Sequence, residues 1–431
     1  MRVLLIGAYG FIGSGVARAL VAQGHEVIGL GRSERIARRI LPDLEWIVGD
    51  LNRMARPQDW QAALHGIDAV INASGALQDG AGDRLATVQG TSIAALIEAC
   101  EAGSVQRFVQ ISAPGATTGD TSPFLSTKAL ADERLRRSTL HWAILRPGLV
   151  IGRNAYGGTL LLRALAAMPG LVLTVHGASR LQCVALDDVA EATARCLAPE
   201  APDAIDIDLV EREATSLSLL VRAHRRWLGI APARAVDLPR WTARPVAAIA
   251  DMLGHLGWRS PLRSTAMAMV ARDVRGDPQG GELLLGRPLL SLGATLARHP
   301  AGMQDRWQAR LTLLLPVLIT ALSLLFLLSG IASLANIDAV AAQLDGTAAA
   351  GGGARLLAIG GAVADAGLGL AIMVRRRARA AAMGMAALTG AYLIMGSVLR
   401  PDMWADPLAP LAKALVVLAA ALATHVLLDE R

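Results

Sequence analysis

The chain has 431 residues, enough for two domains with cores of their own. Its net charge of +6 is modest, and of its 42 basic residues only Lys128 and Lys413 are lysines. No helical stretch carries a basic stripe interleaved with aromatics, so nucleic acid is not the expected partner. The three cysteines (Cys100, Cys183, Cys196) lie in apolar segments with no CxxC or metal spacing, which argues against a metal centre and for small buried side chains.

The chain opens without a basic region followed by a cleavable apolar stretch, so its first domain is expected in the cytoplasm. "RVLLIG" is a short apolar run ending in glycine, the pattern of a buried parallel strand. The helical pattern "GSGVARALVAQGHEV" follows, with Val16, Leu20 and Val21 read onto one face and Gly24 as its end. Between strand and helix stand Gly7, Ala8, Tyr9, Gly10, Phe11, Ile12 and Gly13. In such a motif the first glycine permits a tight turn, the second lets backbone approach a pyrophosphate, and the third lets helix and strand pack closely. The helix start offers free N–H groups to phosphate. A second strand, "EVIGL", completes a βαβ unit, the context that makes a glycine triplet specific for a dinucleotide. That strand ends in Gly31, Arg32 and Ser33 where an NAD site usually places a carboxylate for the ribose. A guanidinium there suits a 2′-phosphate, so NADP is expected, with NAD as the alternative.

With these residues on the page, the first 300 residues resemble the extended and atypical short-chain dehydrogenase/reductase superfamily. Within it they are most similar to complex I accessory reductase-like and NmrA-like members. Further stations match in order. "WIVGDL" places Asp50 and Leu51 where the resemblance implies adenine contacts, and "DAVINASG" places Ala73, Ser74 and Gly75 beside the cofactor. "RFVQISAPGA" gives Ser112 at the usual active-site serine, and "LHWAILRPGLVIG" carries Arg146, Pro147 and Gly148 past the nicotinamide. "VALDDVAEATARCL" resembles the late helix of the family.

The departure lies in "FLSTK". The family's YxxxK motif uses tyrosine for proton transfer and lysine to bind the nicotinamide ribose. This chain keeps Lys128 and has Phe124 at the tyrosine position. Phenylalanine has no ionisable group and cannot act as a general acid. In a domain that otherwise uses only arginine, a lone ammonium at the ribose position implies that a compact donor is required there. The proton relay then passes to Ser112, to Tyr156 in "GRNAYGG", or to substrate and water. Alternatively, the domain binds the nucleotide without turning it over.

From Leu311 the chain becomes strongly apolar, and "LTLLLPVLITALSLLFLLSGIASL" has no charge over a length that crosses a bilayer. Four spans are expected, at about 311–334, 354–374, 380–399 and 407–428, the middle two rich in glycine and alanine as close packing in lipid favours. Four spans behind a reductase domain resemble proteins with a DoxX-like region. Arg306, Arg310 and the cluster Arg375, Arg376, Arg377 and Arg379 flank one side of these spans, while the other loops are acidic. The positive-inside rule places the first domain and the C-terminus in the cytoplasm of a multi-pass inner-membrane protein. Asp365 falls midway along the second span, where a carboxyl is either functional or paired between helices.

The expected architecture is therefore α/β, a Rossmann doubly wound parallel sheet over residues 1–300, followed by an all-α four-helix transmembrane domain over 301–431. The expected function is NADP(H)-dependent hydride transfer to a small or lipid-soluble carbonyl or quinone. The alternatives are a non-catalytic redox sensor or assembly factor for a membrane protein complex, and a nucleotide-sugar epimerase or dehydratase.

Overall fold

The computed structural model describes residues 1–76, 79, 80, 84–258, 260, 262–347 and 350–428. The chain divides into two units, Met1–Asp251 with Ser260–Ala309, and Met252–Arg259 with Arg310–Arg431.

The first unit is built on a seven-stranded parallel sheet. Its early elements are β1 (Arg2–Ile6), α1 (Phe11–Ala22), β2 (Glu26–Gly31), α2 (Glu34–Ile40), β3 (Glu45–Val48), β4 (Ala69–Asn72), α3 (Ser92–Ala102), β5 (Arg107–Ile111), α4 (Pro123–Arg136) and β6 (His141–Pro147). The spatial order is β3, β2, β1, β4, β5, β6 and then the strand Ala204–Leu209. The order in which the chain adds strands reverses between β1 and β4, and a doubly wound sheet opens its ligand crevice at that switch point.

Burial explains why these runs are strands. Val3 to Ile6 and Ala69 to Asn72 are almost fully buried, because helices cover both faces of the sheet. One face packs Val16 and Leu20 of α1 with Val189 of the helix Leu186–Arg195. The other packs Leu96 and Ile97 of α3, Leu135 of α4 and Trp60. Val21 departs from the sequence reading: it is 48% exposed. At about 100° per residue it stands well round the helix from Val16, off the sheet-facing stripe. Helix α1 does end where expected, with Gly24 at φ +83° taking the left-handed turn.

The second unit holds four long apolar helices, Met303–Ala335 (whose first residues belong to the first unit), Gly352–Ala371, Arg375–Leu399 and Pro410–Leu427. The shortest, at 18 residues, spans about 27 Å at about 1.5 Å per residue. The first runs through Pro316 without breaking. Their outer surfaces are apolar: Leu328, Ile331, Val363, Val416 and Val426 are each more than half exposed. The interior is apolar too, with Leu322, Phe326 and Met385 in its core and, among the described residues, only Ser323, Asp365, Thr389 and Thr424 as buried polar groups. An outer surface this apolar fits a lipid solvent. Asp365 is buried within the bundle and accepts hydrogen bonds from Ser329 Oγ (2.8 Å) and Tyr392 OH (3.3 Å), joining three helices. Glycines make that approach: a Cβ on Gly330 would lie 2.6 Å from Ala362 O, and one on Gly361 would lie 2.7 Å from the Tyr392 hydroxyl.

Candidate nucleotide site

The switch-point crevice begins at Gly7, whose φ of +75° turns the chain out of β1. A side chain on Gly7 would meet Ser74 N and Ala73 O at 3.0 Å, so the β1 turn lies directly against the end of β4. Gly10 N donates to Gly7 O (2.8 Å), and a Cβ on Gly10 would lie 2.9 Å from that oxygen. Gly13 also stands hard against Gly7 O, which leaves no room for a side chain. Ser14 N donates to Gly10 O, so the preceding N–H groups of Phe11, Ile12 and Gly13 have no acceptor within the helix. No acidic residue occupies the first turn of α1, so its positive end is uncompensated. The arrangement is a cradle for an anion.

Along the crevice, Tyr9 packs on Trp46 with ring centroids 5.9 Å apart, and its hydroxyl accepts from Arg32 N (3.2 Å). This fixes the end of β2, where Arg32 is exposed and Ser33 caps α2. Asp50 accepts from Asn52 N (3.1 Å) and Nδ2 (2.9 Å), capping a short turn, and Leu51 is buried in the core beneath.

At the end of β4, Asn72 is fully buried. Its Oδ1 accepts from Ser74 N (3.0 Å) and Ser74 Oγ (2.5 Å), while its Nδ2 donates to Gln110 Oε1 (2.8 Å). Ser74 O in turn accepts from Lys128 Nζ (3.1 Å), which also donates to Ile111 O (2.7 Å). Lys128 stands beside Gly75, 3.5 Å from the place a Cβ would occupy there. Burial lowers its pKa from 10.5 to about 8, partly opposed by Asp132 one helical turn along.

Ser112 donates to Asp132 Oδ2 (2.5 Å), so the hydroxyl is engaged with a buried carboxyl. Burial raises the Asp132 pKa, against the opposing pull of Ser112, Lys128, Arg136 and Arg146. Its Oδ1 has no hydrogen-bond partner among the described residues. Phe124 lies in the first turn of α4, half-buried. Tyr156 lies in the loop before the helix Gly158–Ala166 with 48% of its surface exposed. Pro147 is buried at the end of β6, and the Arg146 guanidinium is bound to Asp206 and to Asp208 (2.6 Å) of the neighbouring strand.

The fold thus brings together Gly7, Gly10, Gly13, Ala73, Ser74, Gly75, Lys128 and Ser112. Sequence reading missed Asn72, Gln110 and Asp132, which hold the crevice's polar floor. The Asp132 signal was present, since Lys128 and Asp132 are four residues apart on one helix and so share a face. Among the described residues no cluster of His, Cys, Asp and Glu could hold a metal ion.

Both parts of the chain resemble known proteins. Residues 7–199 match the NAD(P)H-binding family model, and residues 323–422 match the DoxX-like family. A 2-alkyl-3-oxoalkanoate reductase of Stenotrophomonas maltophilia is 29% identical over 214 residues, covering 44% of this chain and 63% of that protein. A photosystem II assembly factor of Synechocystis is 33% identical over 151 residues, covering 34% of this chain and 44% of that protein. The chain spans less than two thirds of the length of either relative. Among solved structures, a UDP-glucose 4-epimerase of Thermus thermophilus with NAD aligns with a TM-score of 0.53 at 21% identity, covering 70% of this chain and 100% of that one. An NADPH-dependent quinone oxidoreductase of Escherichia coli with NADPH aligns with a TM-score of 0.53 at 17% identity, covering 69% of this chain and 99% of that one. At such identities the likeness is one of fold. The chain joins an NAD(P)-binding Rossmann domain, with structural neighbours among epimerases and reductases, to a DoxX-like C-terminal region of four apolar helices.

Proposed function

We propose that the protein is a membrane-anchored, NADP(H)-dependent oxidoreductase that passes hydride between the nicotinamide and a lipid-soluble carbonyl or quinone. The observation that carries this reading is Lys128, an ammonium 5% exposed at the switch point whose hydrogen bonds among the described residues go to carbonyl oxygens. Desolvating a cation is costly, and a packing role there would be met by an apolar side chain. A ribose whose hydroxyls accept from the ammonium returns that cost. When bound, the nicotinamide supplies the hydride. The chain's own groups cradle the phosphates with the N–H groups of Phe11, Ile12 and Gly13, and orient the ribose with Lys128. Phe124 offers no proton, so the carbonyl oxygen takes its proton from water, from Tyr156, or from the Ser112–Asp132 pair. Arg32 in place of an acidic residue supports NADP over NAD. The name of the Stenotrophomonas relative supports a reductase, and the tether supports a substrate resident in the membrane.

A second reading is favoured by Phe124 itself and by the similarity to an assembly factor: a nucleotide-binding domain that senses redox state for a membrane complex without turnover. In both readings the first unit, the arginine cluster Arg375–Arg379 at the start of its helix and the C-terminus lie in the cytoplasm, supported by the arginine distribution. The separating experiment is to purify the whole chain in mild detergent, identify the bound nucleotide, and follow NADPH consumption with a carbonyl and quinone panel. Turnover supports the enzyme. Tight NADPH binding with none consumed supports the sensor.

A further inference from the structure

A second polar cavity of about 190 Å³ lies in the first unit, among residues that take no part in the nucleotide cradle. Arg153, Trp227, Arg298, His299, Gln304 and Asp305 line it. Its charge is uneven. Asp305 is already compensated by Arg163 (3.3 Å), and His299 faces Asp187 (3.4 Å). Arg153 and Arg298 are exposed, and neither has an ion-pair partner among the described residues. Other arginines of the first unit are committed to carboxylates, among them Arg146, Arg195, Arg212 and Arg287.

The wall is fixed. Arg163 is 2% exposed, donates to Gly152 O (2.8 Å) and Arg153 O (2.9 Å), and lies 4.5 Å from the centre of the Trp227 ring. Trp227 Nε1 donates to His299 O (2.7 Å). Two unpaired guanidiniums are thus presented at a rigid concave surface several times the ~30 Å³ of a water molecule.

We propose that this cavity binds a phosphate-bearing anion, held between Arg153 and Arg298. Guanidinium forks match phosphate oxygens in bidentate geometry, and two cations without a carboxylate partner leave a field that an anion neutralises. Two sources share this chemistry, a phospholipid headgroup and a free phosphate. The headgroup is suggested by Gln304 and Asp305, which sit on the helix whose uncharged run begins at Leu311.

The test uses the full-length chain in nonionic detergent and R153Q/R298Q, with R137Q as an exposed-arginine control. One arm titrates inorganic phosphate and reads the melting temperature. The other places each protein in phosphatidylcholine nanodiscs with added phosphatidylglycerol and counts retained anionic lipid by native mass spectrometry. Each substitution is expected to weaken binding about tenfold, with R137Q unchanged. A substitution-sensitive effect in the phosphate arm alone identifies a free phosphate, and one in the lipid arm alone a headgroup. Phosphate held at the α1 cradle would not respond to R153Q/R298Q, so the two sites are distinguishable. If the double variant melts early without ligand, R153Q and R298Q are read singly. Equal binding by wild type and variants, or no binding of either probe to wild type, overturns the proposal.

Discussion

Replacing Lys128 with methionine separates a ligand-binding lysine from a structural one. The substitution keeps most of the length of the side chain and removes its charge. Two effects on stability oppose each other. The pKa drop from 10.5 to about 8, at about 1.4 kcal/mol for each pKa unit, means that the charged form costs the folded protein about 3 kcal/mol at neutral pH. Removing it relieves that cost, while Ser74 O and Ile111 O lose their donor at about 1–3 kcal/mol each. The melting temperature is therefore expected to move little. Nucleotide affinity has no such offset: charge-assisted bonds to ribose hydroxyls contribute about 1.5–3 kcal/mol, or roughly 10- to 150-fold in Kd. The pH dependence carries the same signature. Between about pH 8 and 10.5 the unfolded chain holds a proton that the folded chain has released, so Lys128 makes stability rise with pH across that window. Affinity moves the opposite way, steady below pH 7 and falling above about 8 as the ammonium is lost. The assay is NADPH titration by fluorescence across this range, alongside thermal unfolding. An unchanged Kd in K128M, with a wild-type profile as flat as the variant's, would refute the role assigned to Lys128.

Three further changes address the rest of the site. Gly10→Val should abolish nucleotide binding, because its side chain would press on Gly7 O and fill the cradle; equilibrium dialysis with NADPH measures this, and retained binding would contradict the cradle. Arg32→Ala should weaken NADPH binding by about 1–3 kcal/mol and spare NADH, read by paired titrations, and equal losses would remove the case for NADP. Phe124→Tyr should raise turnover by up to roughly 10²–10⁴-fold in initial-rate assays if proton transfer limits an existing reaction, and should leave a sensor at background.

The fold was legible where local pattern and burial coincide. The apolar run Val3–Ile6, the glycines behind it and the helical stripe of Val16 and Leu20 announced the βαβ unit, and uninterrupted apolarity announced the long helices. Val21 was misplaced because adjacency in sequence is not adjacency on a helix. The cradle glycines were legible as a motif, but part of their physical reason was not. The turn packs so tightly on itself that Gly10 and Gly13 are constrained by Gly7 O. The polar floor escaped because its pairs join distant segments: Asn72 with Gln110, Ser112 with Asp132, Lys128 with Ser74. No periodicity marks such pairs. Arg146 illustrates the same limit: sequence placed it on the strand leading to the nicotinamide, and folding turned its guanidinium onto Asp206 and Asp208 of the neighbouring strand.

The central claim is that this domain moves hydride, and following the hydride itself tests it most directly. The full-length protein in detergent is incubated with NADPH carrying deuterium at the transferable nicotinamide position and with a membrane lipid extract, and the products are analysed by mass spectrometry. Deuterium on the carbinol carbon of a reduced carbonyl, or loss of deuterium from the nicotinamide as a quinol forms (its O–D exchanging with water), each diminished with K128M, is the predicted result. Nicotinamide that keeps all its deuterium through prolonged incubation, with the nucleotide bound throughout, would contradict the enzyme and leave the sensor.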